Sequence, residues 1–164
     1  MKLVELTEAP QPFEGLLQHR PELRSLYKRF YGAFWDEALL PRSLLELCRL
    51  RIAQLHDCEA ELAVTDTGSG VPDNQRVGLD RWEAADCFSP LDRAALAIAE
   101  LMPWQHHSMT DAQFATLREH LDEKQCVALV VALALFDANC RLRLVFELPA
   151  SPASEPAFSS GLLH

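Results

Sequence analysis

Apolar residues recur along this chain at intervals of three and four, the period of an α-helix, and no stretch alternates as a half-buried strand would. Residues 1–20 read as an irregular arm carrying Pro10 and Pro12. Pro21 suits a first helical position, and Leu23, Leu26, Tyr27, Phe30, Tyr31 and Phe34 follow it at helical spacing. A second helix is expected from Pro41. Its apolar positions, Leu44 through Leu55, cover most of the circumference, which marks it as central in the fold. Asp57 is placed to cap a short third helix reaching about Thr65, with Gly68-Ser69-Gly70 ending it.

Residues 72–84 predict another short helix with Leu79 and Trp82 turned inward. Ser89-Pro90-Leu91-Asp92 opens the next, which runs to about Leu101 before Pro103. Thr110 with Gln113 and Asp122 with Gln125 have capping-box spacing, and the last helix is expected from Glu123 to Phe146. The tail from Pro149 is rich in Pro, Ser and Ala and reads as loose or as an arm on a neighbouring subunit. The pattern therefore predicts an all-α fold of roughly seven helices. It divides as an arm (1–20), one helical domain (21–148) and a flexible or subunit-contacting tail (149–164).

Composition narrows the function. The 164 residues suffice for one domain, and 49% of them are hydrophobic, as in a globular chain. A net charge of -9 without any basic cluster argues against nucleic acid and against anionic membranes as partners. The apolar run Cys126 to Phe136 is too short to span a bilayer and reads as a core helix. Five cysteines, Cys48, Cys58, Cys87, Cys126 and Cys140, occur at irregular spacing without a CxxC, and Met1 to Glu5 lacks the basic-then-apolar pattern of a secretory leader. Reduced thiols in the cytoplasm are expected.

The run from Leu44 to Cys58 resembles the AhpD-like alkylhydroperoxidase and carboxymuconolactone decarboxylase family. So do Trp82-Glu83-Ala84, Phe88 through Glu100, and Asp137-Ala138-Asn139-Cys140-Arg141-Leu142. The resemblance covers about residues 20 to 147. It implies an AhpD-like helical domain that assembles as a trimer or hexamer. In the peroxidase branch a glutamate is followed by a cysteine twelve positions on, a second cysteine three further and a histidine four after that. Laid on this chain, those positions are Glu46, Cys58, Glu61 and Thr65, so the peroxide-attacking second cysteine and the histidine are replaced.

The candidate catalytic residues are accordingly Cys58, Glu46, His56 and Glu61. Cys58 is expected at the first turn of a helix, where free N–H groups favour a thiolate, although Asp57, Glu59 and Glu61 oppose it. Its bland alternative is a small apolar residue at a helix junction. Glu46, flanked by Arg42 and Arg49, reads either as a base for that thiol or as an ion-paired structural acid. His56, two residues before Cys58, is a possible partner. Glu61 is either a solvated first-turn acid or a second carboxylate converging with Glu46. His106 and His107 read as surface residues, and Cys48, Cys126 and Cys140 as core thiols. Neither a cofactor nor a metal is expected.

The leading expectation is a one-cysteine peroxidase acting on a small-molecule peroxide, with an external thiol completing the cycle because no cysteine lies three residues on. The alternatives are a lyase acting on a small organic acid, in which Glu46, His56 and Glu61 would do acid–base work, and a non-catalytic oligomeric member of the family.

Overall fold

The structure, a computed structural model, describes residues 12–35, 39–64 and 68–150; the expectations placed on Thr65 and on the tail beyond 150 lie outside them. Among the described residues the chain forms eight α-helices and no strand element. They are α1 (Pro12–Leu17), α2 (Pro21–Ala33), α3 (Arg42–Leu55), α4 (Glu59–Leu62), α5 (Asp73–Gly78), α6 (Pro90–Leu101), α7 (Asp111–Arg118) and α8 (Glu123–Val145). Short 3-10 turns follow α5 (Leu79–Arg81) and α6 (His106–Ser108). No helix among the described residues is long and apolar enough to cross a membrane.

The starts follow the local chemistry. Ser89, Thr110 and Asp122 each accept a hydrogen bond from the backbone N–H three residues on, while Asp92, Gln113 and Gln125 reach back to the cap. Each such box offsets the unpaired amides of a first turn by about 1 kcal/mol. Pro21 and Pro90 sit at the helix starts, where the missing N–H costs nothing.

The apolar pattern of α3 reflects its position. It packs against α6 and α8 and is buried nearly all round, with Leu45, Leu47, Cys48, Ile52 and Ala53 fully enclosed. The main core joins Leu45, Cys48, Ile52 and Ala53 to Leu129, Leu133 and Phe136 of α8. A smaller core gathers Leu47, Leu79, Trp82, Phe88 and Leu96 on the other side of α3.

Two local expectations are revised. Part of the expected irregular arm is helical: α1 puts Phe13, Leu16 and Leu17 into the main core. The segment 72–84 is split, with α5 ending at Gly78 and a 3-10 turn carrying Leu79 inward ahead of a buried Trp82. Gly78 has its Cα facing Ala85 and the Cys87 sulfur, which an added Cβ would meet at 3.4 and 3.5 Å.

Candidate functional site

The site begins where α3 stops. Asp57 does not cap the next helix. It adopts a left-handed conformation, φ 50°, and closes α3. Its N–H bonds the Gln54 carbonyl at 3.1 Å and the Cys58 N–H bonds the Ala53 carbonyl at 2.9 Å. Those two bonds are the Schellman closure of a helix C-terminus. Cys58 then becomes the N-cap of α4, a helix of only 4 residues.

The turn places the Cys58 sulfur inside the protein, against α8. The residue is 1% exposed. Its thiol faces the Cys140 carbonyl oxygen at 3.9 Å. The neighbouring Cys140 side chain is the largest influence on the Cys58 thiol, which is lowered to about 7 from an ordinary 9.0. Burial and the Glu61 carboxylate oppose that shift; the Glu61 backbone N–H and the Arg143 guanidinium add to it. The same contact, with burial, pushes the Cys140 thiol far up. The two shifts run in opposite directions, so the pair favours a thiolate on Cys58 over one on Cys140.

Behind the sulfur lies a buried charge cluster. Glu46 and Arg49, one turn apart on α3, are both fully enclosed. Arg49 donates from Nε to Glu46 Oε2 at 2.8 Å and from Nη2 to Oε1 at 2.9 Å, a two-pronged pair. Its Nη1 reaches Glu61 Oε1 and the Glu61 carbonyl, each at 2.8 Å, and Nη2 also reaches the Val64 carbonyl at 2.8 Å. The other Glu61 carboxylate oxygen pairs with Arg143 Nε from α8. Arg76 approaches Glu46 Oε1 at 3.5 Å from the half-exposed side.

Two acids and two guanidiniums are therefore buried together with their charges balanced. Burial favours the neutral form of Glu61, but Arg143 and Arg49 outweigh it and hold the carboxyl below its usual range. Burial likewise opposes the Arg49 charge, and Glu46 and Glu61 overcome it. Tyr27 and Tyr31 line the same region; burial, with the Glu61 charge second, drives both phenols up. Tyr27 hydrogen bonds to the Asn139 side-chain oxygen, and the Arg143 guanidinium lies 4.8 Å over the Phe13 ring.

Three of the four sequence candidates thus lie around this centre, and one does not. Glu46 and Glu61 converge, but on the Arg49 guanidinium. His56 turns to another wall: its Nε2 lies 2.6 Å from Asp137 Oδ1, and its ring packs on Trp104 at 4.9 Å between centroids. Arg141 closes that second group, with Nε 3.0 Å from Asp137 Oδ2 and its guanidinium 4.8 Å from the Trp104 ring. Sequence reasoning named Arg49 only as a neighbour of Glu46 and passed over Arg143 and the partnership of Cys140 with Cys58. A signal existed: Phe136, Cys140 and Arg143 share the buried face of α8, and a cation on such a face demands a buried acid.

Among the described residues no group of three or more His, Cys, Asp and Glu is arranged to hold a metal. A groove of about 390 Å3 lies along α7 and α8, lined by Phe114, Arg118, Cys126, Val127 and Val131 among others, on a different surface from Cys58.

No known family's sequence profile matches the chain. It is 29% identical over 106 residues to YdfG of Bacillus subtilis (strain 168), itself uncharacterised, a match spanning 61% of this chain and 71% of that protein. In three dimensions it is similar to a crystal structure from Agrobacterium tumefaciens, a protein of unknown function described as a candidate antioxidant defence protein AhpD. The TM-score is 0.70 at 16% identity, over 87% of this chain and 96% of that one. The chain has the all-α, AhpD-like helical fold.

Proposed function

We propose that this protein is a thiol-dependent oxidoreductase that reduces a small peroxide at Cys58. The observation that carries the reading is the position of Cys58 at the N-cap of α4 against Cys140, a setting in which its thiol is lowered to about 7. Near neutral pH about half of such a thiol is already thiolate, and thiolate is the form that attacks an O–O bond. The sulfur takes the distal oxygen to give a sulfenic acid and the peroxide leaves as an alcohol or water. Two equivalents of an external thiol return the sulfenic acid to thiol, releasing water and a disulfide. The AhpD-like fold supports the same class of chemistry.

The carboxylates have supporting roles in this reading. Both oxygens of Glu46 face Arg49, so Glu46 holds the guanidinium in place. Glu61, at the position of the family's second cysteine, is held ionised by Arg143 and Arg49. A thiol already half ionised needs no base to deprotonate it. The lyase alternative draws less support, because it calls for carboxylates free to gain a proton and for a histidine beside them, whereas His56 faces Asp137.

A non-catalytic role is the second reading, and a specific observation favours it: Cys58 is 1% exposed, and ion pairs fill the space behind it. The experiment that separates the two is consumption of an organic hydroperoxide with a small thiol as reductant. Turnover that disappears in Cys58→Ser supports the peroxidase. Turnover that survives in Cys58→Ser removes Cys58 from the mechanism, and no turnover in the unaltered protein leaves the non-catalytic reading. Homo-oligomerisation is part of the proposal, supported by Leu23, Leu26 and Phe30, which line one face of α2 and are each at least half exposed.

A further inference from the structure

We propose that Cys140 is the resolving thiol of Cys58, so that oxidation by a peroxide ends in a Cys58–Cys140 disulfide within one chain. The inference rests on the reading of Cys58 as the reacting sulfur and gives the sulfenic acid a partner inside the protein. The sequence offers no cysteine three residues after Cys58, but the fold brings one from 82 positions further along the chain. The N-cap of α4 packs on the last turns of α8, and there the Cys58 thiol donates to the Cys140 carbonyl oxygen at 3.9 Å, so the two cysteines are in direct contact. Both residues are buried. The remaining cysteines are engaged elsewhere: Cys87 faces the Asn74 carbonyl at 3.6 Å and Cys126 the Leu121 carbonyl at 3.7 Å, while Cys48 sits inside α3.

Burial decides between the two possible partners of the sulfenic acid. A small peroxide needs only a brief opening to reach a sulfur that is 1% exposed. An external thiol must bring a larger molecule to the same enclosed atom, whereas Cys140 is already in contact. The opposite directions of the two shifts fit the order of events: the Cys58 thiol is lowered and suits the attacking sulfur, and the Cys140 thiol is raised and suits the resolving one.

The chemistry balances. In the first step the Cys58 thiolate, having released its proton to solvent, takes an oxygen from the hydroperoxide, the O–O bond breaks, and the alkoxide takes one proton back from solvent to leave as alcohol. In the second, the Cys140 sulfur attacks the Cys58 sulfur, the S–O bond breaks, and the departing hydroxide takes the Cys140 proton to become water. Two thiols have lost two electrons and two protons, and one hydroperoxide has become one alcohol and one water. The disulfide persists until a slower, wider opening of the region lets an external thiol in to reduce it.

The test is peptide mapping of the full chain after treatment with hydrogen peroxide and with an organic hydroperoxide, digested without reduction and in the presence of dimedone. The expected result is a cross-link between the tryptic peptide carrying Cys58 and the one carrying Cys140, with fragmentation assigning the bond to Cys140 and not to Cys126 on the same peptide. In Cys140→Ala, circular dichroism having shown it folded, the cross-link is replaced by a dimedone adduct on Cys58. A dimedone adduct on Cys58 of the unaltered protein without any cross-link overturns this inference and leaves the peroxidase reading intact. A Cys58 that neither cross-links nor forms an adduct while the protein stays folded overturns both. Should Cys140→Ala fail to fold, the map of the unaltered protein decides by itself.

Discussion

Cys58 combines two properties that seldom meet: it is enclosed by the fold, and its thiol is lowered to about 7. Burial alone raises a thiol, as it does for Cys48. The difference is the company, the Cys140 side chain first and the Arg143 cation as a smaller influence. The shift has a stability consequence with a definite sign. A thiol lowered in the folded state binds its proton less tightly there than in the unfolded chain, so its contribution is fully present above the unfolded value of 9.0 and is lost as pH falls through about 7. The stability difference between the protein and Cys58→Ala, measured by urea unfolding, is therefore expected to grow from pH 7 to pH 9; a difference that is flat or shrinks contradicts the assignment. The sequence marked Cys58 through its spacing from Glu46. It credited the first-turn position for a lowered thiol, but α4 is a helix of 4 residues and the dominant influence comes from Cys140. That contact crosses 82 positions, and a periodicity argument on α8 can show only that Cys140 is buried, not what it touches.

At the scale of elements, Arg49 joins α3 to α4 and to the loop after it, and Glu61 carries the chain of charges on to Arg143 of α8. Removing one member of such a set strands the others without water. Arg49→Leu is expected to cost about 3–5 kcal/mol in urea unfolding, as a buried ion pair broken on one side does. A loss below about 1 kcal/mol would show that the cluster is solvated in solution. The turn between α3 and α4 gives a second prediction. Asp57 has φ 50°, where only glycine is free of strain and a β-branched residue is badly placed. Asp57→Gly should be at least as stable as the parent, whereas Asp57→Val should lose about 1–2 kcal/mol; the reverse order in thermal melts would contradict this closure. The helix starts were legible because Ser89, Thr110 and Asp122 carry their own signal within four residues. Asp57 misled because the same residue type serves to start a helix and to occupy a left-handed position at the end of one, and only the chain path distinguishes them.

At the scale of the whole molecule, the all-α class was readable from apolar spacing, and the centrality of α3 from its nearly continuous apolar surface. The structure adds that α2 has two apolar faces: Tyr31 and Phe34 turn into the core while Leu23, Leu26 and Phe30 turn outward. A periodicity reading merges the two, because it records that positions are apolar and not what covers them. If the outward face is a contact between copies, Leu26→Glu with Phe30→Glu should reduce the mass seen by light scattering while leaving the helical signal unchanged; an unaltered mass would place any assembly contact elsewhere. In the proposed function the fold, the enclosed charges and any assembly all bear on the ionisation of Cys58. The most direct measurement is therefore the ultraviolet thiolate absorbance of the folded full chain against pH, taken as the difference from Cys58→Ser. The account predicts a transition centred near 7, and a transition at or above 9.0 would contradict it.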